Sequence, residues 1–363
     1  MKAPTVLILT LTLTAALAAC EDKKTTTGTA SSASTTAASA SAKPAFDPAS
    51  LSALAALPKS IPSTAHPAND ALVALGKMLF FEARLSKNQD ISCNSCHKLE
   101  SFGVDGEKTS TGHKKQLGTR NSPTVLNSAI QFRQFWDGRA ADVEEQATGP
   151  IANPVEMASS EKLVVAVLGS MPEYVDQFAK AFPGQKDPIS LKNIGVAIGA
   201  FERTLLVPSR FDKYLGGDKT ALTDAELAGA ALFVSTGCTA CHNGAGIGGG
   251  MYQKAGLVKP WPSDKDLGRF TVTKDEADKM MFKVPSLRNV EKTAPYFHDG
   301  GTATLDEAVK IMGRHQLGRE LADADVASIV TFLKTLTAPL PTDVATPPAL
   351  PKSTPKTPKP DPG

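Results

Sequence analysis

Two five-residue stretches decide the fold, Cys93-Asn-Ser-Cys96-His97 and Cys238-Thr-Ala-Cys241-His242. Both have the form CxxCH, in which two thiols form thioether bonds to the vinyl groups of a haem and the adjacent histidine binds its iron. Two disulfides, or a zinc site of four thiolates, would also use these cysteines, but neither requires a histidine after each pair. The motifs therefore predict two covalently bound c-type haems.

The two motifs form an internal repeat. His97 and His242 lie 145 residues apart, about one domain length. An apolar stretch of helical type precedes each motif, GKMLFFE before the first and AGAALFV before the second. The repeat predicts an all-α protein of two tandem cytochrome c-type domains, with long loops and little or no sheet. Further helices are expected over 70–82, from Ser160, from Ser190 to near Val207, after capping boxes at 223–226 and 304–307, and over 323–336.

Composition excludes some functions. The 363 residues include 39 basic and 37 acidic side chains, so no basic excess is available to bind nucleic acid. The 28 glycines and 26 prolines are typical of a loop-rich protein. Five cysteines are present, so one remains after the two motifs have used four.

The two ends of the chain differ from the rest in composition. Residues 1–19 read as an export signal, and Cys20 follows small residues as in the lipobox of bacterial lipoproteins. We therefore expect a periplasmic protein with a lipid anchor at Cys20. Residues 20–45 are rich in Ser, Thr and Ala and are expected to be a disordered linker, and the Pro-rich residues 339–363 a disordered tail. The expected domains are 46–207 and 208–338.

The second iron ligands follow less directly from spacing. Met312 lies 70 residues after His242 and precedes the last helix, the order typical of a small cytochrome c. A thioether opposite the histidine would raise the reduction potential. Met280, Met281 and His315 are its rivals. For the first haem, spacing leaves three candidates open: His113 in a Gly-rich loop, Met157 and Met171.

Several separated segments resemble one known family, the bacterial dihaem cytochrome c peroxidases. They are RNSPTVLNS (120–128), QFWDGRAADVEEQATGPIANPVEM (134–157), FKVPSLRNV (282–290) and APYFHDG (294–300). The resemblance runs from about Leu75 to Leu336. It implies reduction of hydrogen peroxide to water with electrons from a small periplasmic cytochrome c or cupredoxin. It also implies a low-potential peroxidatic haem in the first domain and a high-potential electron-accepting haem in the second.

The resemblance also implies roles for residues around the first haem. His113 matches a loop histidine that caps the peroxidatic iron at rest and leaves on activation. Glu156 matches the distal carboxylate that moves protons on peroxide, and Gln146 the amide that hydrogen-bonds it. Trp136 matches a tryptophan between the two haems, and Phe135 lines the pocket. The Gly-rich segment 106–119 would be the bistable loop of such a switch.

Other roles implied by the resemblance concern the second haem and the domain interface. Met312 matches its axial methionine. Asn121 matches a side-chain ligand of an interdomain calcium ion, with backbone carbonyls from Thr293 and Pro295. His298 matches an interface histidine, and relatives are often homodimers.

Two other functions compete with peroxide reduction. A dihaem electron-transfer cytochrome would need no distal acid, and the Glu156 and Gln146 matches argue against it. The related dihaem enzymes that oxidise a protein substrate carry a tyrosine where Met312 stands here.

Overall fold

The computed structural model describes residues 48–340 and 342–363. The expected signal peptide (1–19) and the whole of the expected linker (20–45), including Cys20, therefore lie outside the described residues. Within the described part of the chain, no helix combines the length and apolar character needed to cross a membrane.

Helices dominate the described residues, as predicted. The one sheet there pairs β1 (Tyr252–Lys254) with β2 (Met281–Lys283) in antiparallel register, with Tyr252 opposite Lys283. The all-α class with little sheet is confirmed. The helices are α1 (Asp70–Phe80), α2 (Cys93–Cys96), α3 (Val143–Ala152), α4 (Glu161–Gly169), α5 (Pro172–Ala181), α6 (Leu191–Glu202), α7 (Arg210–Leu215), α8 (Asp224–Thr236), α9 (Phe270–Thr273), α10 (Leu305–Gln316), α11 (Asp323–Lys334) and α12 (Thr342–Ala345).

Polar side chains begin the predicted helices where the sequence indicated. Asn69 Oδ1 accepts a 2.8 Å hydrogen bond from the Leu72 N–H at the start of α1. Thr223 forms a reciprocal capping box with Glu226 at the start of α8, and Thr304 accepts from the Glu307 N–H at the start of α10. The helix α1 ends at Phe80 and α11 at Lys334, each two residues before the predicted end.

In the N-terminal half, α1 crosses α6 at a glycine. A Cβ atom on Gly76 would lie 1.8 Å from the Ala197 carbonyl oxygen. The absence of a side chain lets the two helix backbones touch, which brings Phe80 into edge contact with Phe201 at 5.5 Å between ring centroids. The crossing thus sets where the segment after α1, including the first CxxCH motif, leaves the core.

The C-terminal half repeats this device. A Cβ atom on Gly229 of α8 would lie 2.2 Å from the Ser328 carbonyl oxygen of α11. Phe233, one turn further along α8, packs on Phe332 at 5.3 Å between ring centroids. The helix that precedes each motif is therefore held against another helix through one glycine.

A buried ion pair joins several segments of the C-terminal half. Arg288 is 1% exposed and donates from Nη1 and Nη2 to the two carboxylate oxygens of Asp212, at 2.8 and 2.9 Å. Asp212 also accepts from the Leu57 N–H, and Arg288 Nε donates to the Ala245 carbonyl. The pair is bidentate and its remaining polar atoms are bonded, which is what burial of two charges requires.

The start of the described chain packs on the C-terminal half, not on the N-terminal domain to which the sequence assigns it. Leu51 and Leu54 belong by sequence to the expected domain 46–207, but they are buried in the C-terminal core with Phe211 and Phe233. The Leu54 backbone forms a bridge to Gly244, in the loop after the second motif. A division at residues 207 and 208 otherwise stays a prediction.

Residues 342–363 differ from the expected disordered tail. They run over the N-terminal half, where Arg84 donates to the Pro351 carbonyl and to Ser353 Oγ. Thr357 is buried, and its hydroxyl lies 2.7 Å from Ser170 Oγ. Proline pre-orders an extended backbone, so little entropy is lost when these polar contacts form.

Replacing Gly76 with alanine should destabilise the N-terminal half. The new methyl group meets a backbone carbonyl, so α1 and α6 have to separate, at a cost of about 1–3 kcal/mol in unfolding free energy. Urea unfolding followed by circular dichroism measures the change. Gly169→Ala is the matched control, because a Cβ there meets no atom within 4 Å. Equal stabilities of the two variants would contradict the close crossing.

Replacing Thr357 with valine should loosen the C-terminal segment. The change keeps the shape but removes the hydroxyl contacts to Ser170 and to the Thr354 N–H, a loss of about 1–2 kcal/mol. Lys359→Ala serves as control because Lys359 is exposed. If limited proteolysis cut the tail at the same rate in Thr357→Val, Lys359→Ala and unmodified protein, the docking of the segment would be refuted.

Candidate functional site

The second CxxCH motif starts directly where α8 ends. Gly237 takes the left-handed conformation, with φ of +100°, that closes the helix and turns the chain into the motif. The His242 N–H then donates to the Cys238 carbonyl at 2.9 Å. This tight turn places the two cysteines and the imidazole on one side of the chain.

A cavity of about 380 Å³ lies beside this motif. Cys238, Cys241, His242 and Met312 all line it. Its walls are largely apolar and come from α8, α10 and α11, including Phe233, Leu305, Ala308, Val309, Ile329 and Leu333. A flat apolar group bonded to the two sulfurs would be enclosed here by the histidine and the methionine.

The rivals of Met312 do not line this cavity. Met280 and Met281 lie at the start of β2, away from it. His315 is directed elsewhere, because its Nδ1 lies 2.7 Å from the Pro260 carbonyl and its ring contacts Trp261. Among the four candidates, the structure places only Met312 with the second motif.

His242 has the electronic form that an iron ligand needs. Burial lowers the pKa of His242 to about 4, so the imidazole is neutral. Gly248 allows the backbone to pack on its ring, since a Cβ there would lie 3.1 Å from His242 Nδ1 and 2.3 Å from the Pro285 carbonyl oxygen. The residues around this cavity fit a c-type haem in their ligand types, burial and space.

The first motif comprises the one-turn helix α2 (Cys93–Cys96) and His97, the residue that follows its last turn. The His97 N–H donates to the Cys93 carbonyl at 2.9 Å, the same contact as in the second motif. Burial lowers the pKa of His97, whose Nδ1 lies 3.4 Å from Ser122 Oγ. The first motif thus has the ligand types and the backbone turn of the second, which fit a second c-type haem.

The alternative uses of the cysteines are not found. Cys93, Cys96, Cys238 and Cys241 are all free thiols in the structure. Across residues 48–340 and 342–363, no three His, Cys, Asp or Glu side chains cluster as a metal site. The described residues thus give no support to the disulfide or four-thiolate zinc interpretations.

Glu156 and His113 are joined through the backbone. The His113 N–H donates to the Glu156 carbonyl at 2.7 Å, and Gly112 fits only without a side chain, since a Cβ would lie 2.0 Å from the Val155 carbonyl oxygen. His113 is buried. The loop that carries it is thus packed on the segment that carries the carboxylate.

The Glu156 side chain lies beside the first motif. Its negative charge contributes to raising the pKa of Cys96. Burial raises the pKa of Glu156 itself, while the positive charge of Arg139 and a 2.7 Å hydrogen bond from Asn153 Nδ2 lower it. A carboxyl with a raised pKa keeps its proton to a higher pH than a solvated carboxyl does and can therefore take part in proton transfer.

Phe135 and Arg139 lie near this carboxylate. The Arg139 guanidinium stacks over the Phe135 ring at 3.4 Å, and a Cβ on Gly149 of α3 would lie 3.4 Å from the same ring. Gln146, one turn before Gly149 on α3, is half-buried. Sequence reasoning named Phe135 and Gln146 but missed Arg139, although it stands in the same FWDGRA segment.

The two other candidates for the first iron ligand pack in the N-terminal core. Met157 and Met171 are both buried among apolar side chains there. The Met171 sulfur accepts a 3.0 Å hydrogen bond from Arg84 Nη1. Met171 is therefore engaged away from the motif, whereas His113 lies in a loop on the Glu156 segment.

Trp136 lies between residues of the two halves. Its Nε1–H donates to the Asn121 carbonyl at 2.9 Å, and its ring meets the His298 ring edge-on at 6.2 Å. His298 stacks on Phe282 at 4.2 Å. The predicted calcium ligands Asn121, Thr293 and Pro295 line the same cavity as Trp136 and His298.

Comparison with known proteins agrees with these two sites. A family model described as di-haem cytochrome c peroxidase matches residues 70–220, and one described as cytochrome c matches residues 226–337. The cytochrome c551 peroxidase of Nitrosomonas europaea is 54% identical over 76% of this chain and 82% of its own. The chain belongs to the di-haem cytochrome c peroxidase family.

Three further proteins that are similar to this chain have lower identities. The cytochrome c551 peroxidase of Pseudomonas aeruginosa is 49% identical over 81% of this chain and 86% of its own. The methylamine utilization protein MauG of Methylorubrum extorquens is 35% identical over 80% and 86%. A solved MauG-like protein associated with microbial copper homeostasis superimposes with a TM-score of 0.70, at 30% identity over 84% of this chain and 98% of that one.

Several charged residues of this di-haem peroxidase had no signal in the sequence. Arg120 donates to Asp266 at 2.6 and 2.8 Å and to Asp137 at 2.6 Å. These bonds connect the segment that contains Asp266 to Asp137, the residue directly after Trp136. Glu202, at the end of α6, is buried near Cys93, and burial followed by the charge of Glu144 raises its pKa to about 8. Isolated charged residues carry no pattern that predicts such positions.

Replacing Met312 with histidine should lower the reduction potential of the second haem. Imidazole stabilises ferric iron more than a thioether does, and axial exchange changes potentials on the order of 0.1 V or more. A spectroelectrochemical titration measures this shift, and Met281→Leu is the control because Met281 lies outside the cavity. If Met312→His left the potential of the second haem unchanged, Met312 would be ruled out as its ligand.

Proposed function

We propose that this protein reduces hydrogen peroxide to water with electrons from a small periplasmic cytochrome c or cupredoxin. Electrons enter at the haem of Cys238 and Cys241, with His242 and Met312 as axial ligands, and pass to the haem of Cys93, Cys96 and His97. The haems, when bound, supply the iron that binds peroxide and the electrons that reduce it. The names of the curated relatives, cytochrome c551 peroxidases at 49 and 54% identity, support the reaction.

The observation that carries the proposal is the half-buried Glu156 carboxyl beside the first motif. Cleavage of peroxide to water requires a proton to move from one oxygen to the other. The raised pKa of Glu156 and its hydrogen bond from Asn153 suit a carboxyl that accepts this proton and returns it. Gln146 would hold the leaving oxygen by a hydrogen bond. An electron-transfer protein has no use for a proton-transferring carboxyl at this position.

Two further residues would support the transfer and control of electrons. Trp136 would relay electrons between the halves, since its ring lies against His298 and it lines the cavity of the second haem. His113 would close the first iron at rest. Its backbone bond to Glu156 links departure of the histidine to the position of the carboxylate, so the 106–119 loop is the element that a switch would move.

The setting of the reaction extends the proposal. We place the enzyme in the periplasm, exported by residues 1–19 and anchored to a membrane by a lipid on Cys20. A calcium ion would be bound by Asn121 with the carbonyls of Thr293 and Pro295, and would hold the two halves in register beside Trp136. The enzyme would act as a homodimer.

Stopped-flow spectroscopy tests the proposed reaction. The calcium-loaded protein is treated with ascorbate to reduce the second haem, and one equivalent of hydrogen peroxide is added. Fast reoxidation of the second haem is expected, since it supplies one of the two electrons that peroxide takes up and the first haem supplies the other. Persistence of the reduced second haem after peroxide addition would refute peroxide reduction and favour an electron carrier.

Replacing Glu156 with glutamine should lower kcat/KM for peroxide about 10²–10⁴-fold, because the amide cannot accept the peroxide proton. In the unmodified enzyme, the rate should rise with pH as the carboxyl, protonated below its raised pKa, becomes a carboxylate. The low rate of Glu156→Gln should lack this rise. Steady-state peroxide consumption over about pH 5–8 measures both effects.

The control for Glu156→Gln is Glu173→Gln, at an exposed position in α5. Both variants are checked for two attached haems by the pyridine haemochrome method. An unaltered pH profile in Glu156→Gln would show that another group transfers the proton.

A further inference from the structure

Lys283 is a buried lysine without a counter-charge. It ends strand β2 and is 6% exposed. Its backbone N–H donates to the Trp136 carbonyl at 2.8 Å, and its Nζ donates to the amide oxygen of Gln131. No ion pair of the described residues includes it.

A neutral amide does not offset the cost of burying this ammonium group. Burial lowers the pKa of Lys283 to about 8, and no nearby charge contributes to the shift. Buried charges in folded proteins are paired or bind an ion of opposite sign. The other deeply buried cation of this half, Arg288, follows the rule through Asp212. Among the described residues, Lys283 therefore lacks the oppositely charged partner that its burial requires.

The position of Lys283 indicates the missing partner. It lines the cavity that Cys238, Cys241 and His242 also line, and Gln131 lines it as well. Among the described residues that line this cavity, Lys283 is the only Asp, Glu, Lys or Arg. A single positive charge thus lies in an otherwise uncharged wall.

A c-type haem carries two carboxylates, its propionates, on the edge away from the vinyl groups that the cysteines bind. We propose that Lys283 binds a propionate carboxylate of the haem attached to Cys238 and Cys241. It is a positioning residue for that haem, and its positive charge also sets the electrostatic environment of the iron. The inference rests on the second haem of the proposed function and not on its peroxide chemistry.

Two electrochemical consequences follow. A cation beside the haem favours the ferrous state, which has one positive charge less than the ferric state, so Lys283 raises the potential. It also keeps the propionate ionised. Without it, the buried carboxyl would titrate near neutral pH. Because ferric iron favours the ionised propionate, the potential would then fall as pH rises through that pKa.

The test is a pH series of spectroelectrochemical titrations of the second haem, on the full chain with both haems and without peroxide. Lys283→Met should lower the potential and make it depend on pH between about 5 and 8. Lys283→Arg keeps the charge and should restore the unmodified behaviour. Gln131→Leu removes the amide partner only and should also behave as the unmodified protein.

Two results would overturn the proposal. One is a Lys283→Met variant whose second-haem potential and pH profile are unchanged. The other is a Gln131→Leu variant that reproduces the shift of Lys283→Met, because the lysine would then be a structural partner of Gln131. If Lys283→Met fails to attach its second haem, resonance Raman spectra decide. The propionate bending modes of the second haem should differ between unmodified protein and Lys283→Arg, and identical modes would refute the contact. Loss of peroxidase activity alone would bear on neither outcome.

Discussion

The close crossing of two helices at one glycine is the constraint on which each half of the molecule depends. Gly76 lets α1 touch the backbone of α6, and Gly229 lets α8 touch that of α11. In both halves the crossing helix is the one that leads into a CxxCH motif. Since a covalently held flat group needs its two sulfurs and its imidazole in one orientation, the helix before the motif has to be held rigidly. The aromatic contacts Phe80–Phe201 and Phe233–Phe332 complete each crossing.

The region between the halves combines ion pairs with aromatic ring contacts. Arg120 reaches from the segment beside Asn121 to Asp266 in the other half and to Asp137 next to Trp136. These are largely desolvated, charge-assisted hydrogen bonds, so they orient the Trp136 segment more firmly than surface ion pairs would. Trp136, His298 and Phe282 then form a ring-to-ring contact series along the cavity of the second motif. The residues of the electron path that we propose therefore also belong to this contact region.

Burial decides which ionisable groups of this protein carry charge. Asp212 and Arg288 are buried as an ion pair, and the arginine lowers the pKa of the aspartate. Glu202 is buried and Glu156 is half-buried with less compensation, so their pKa values are raised. Lys283 is buried with none among the described residues, and its cavity is the one that a haem would fill. The uncompensated groups thus lie around the two motifs, where a cofactor and a proton-transfer step would use them.

The sequence alone determined the two cofactor motifs, the helical class, the helix starts and the family, because these depend on residues adjacent in the chain. Each CxxCH motif spans five adjacent residues. A helix cap joins residues three positions apart, as at Asn69, Thr223 and Thr304. Only the tertiary structure decided which core Leu51 and Leu54 join. It also decided that the Pro-rich residues 342–363 dock on the N-terminal half and that Lys283 lines the cavity beside the second motif. An isolated leucine, proline or lysine has the same local preferences in any of these settings. Its partners are set by contacts between residues far apart in the chain, which no local pattern encodes.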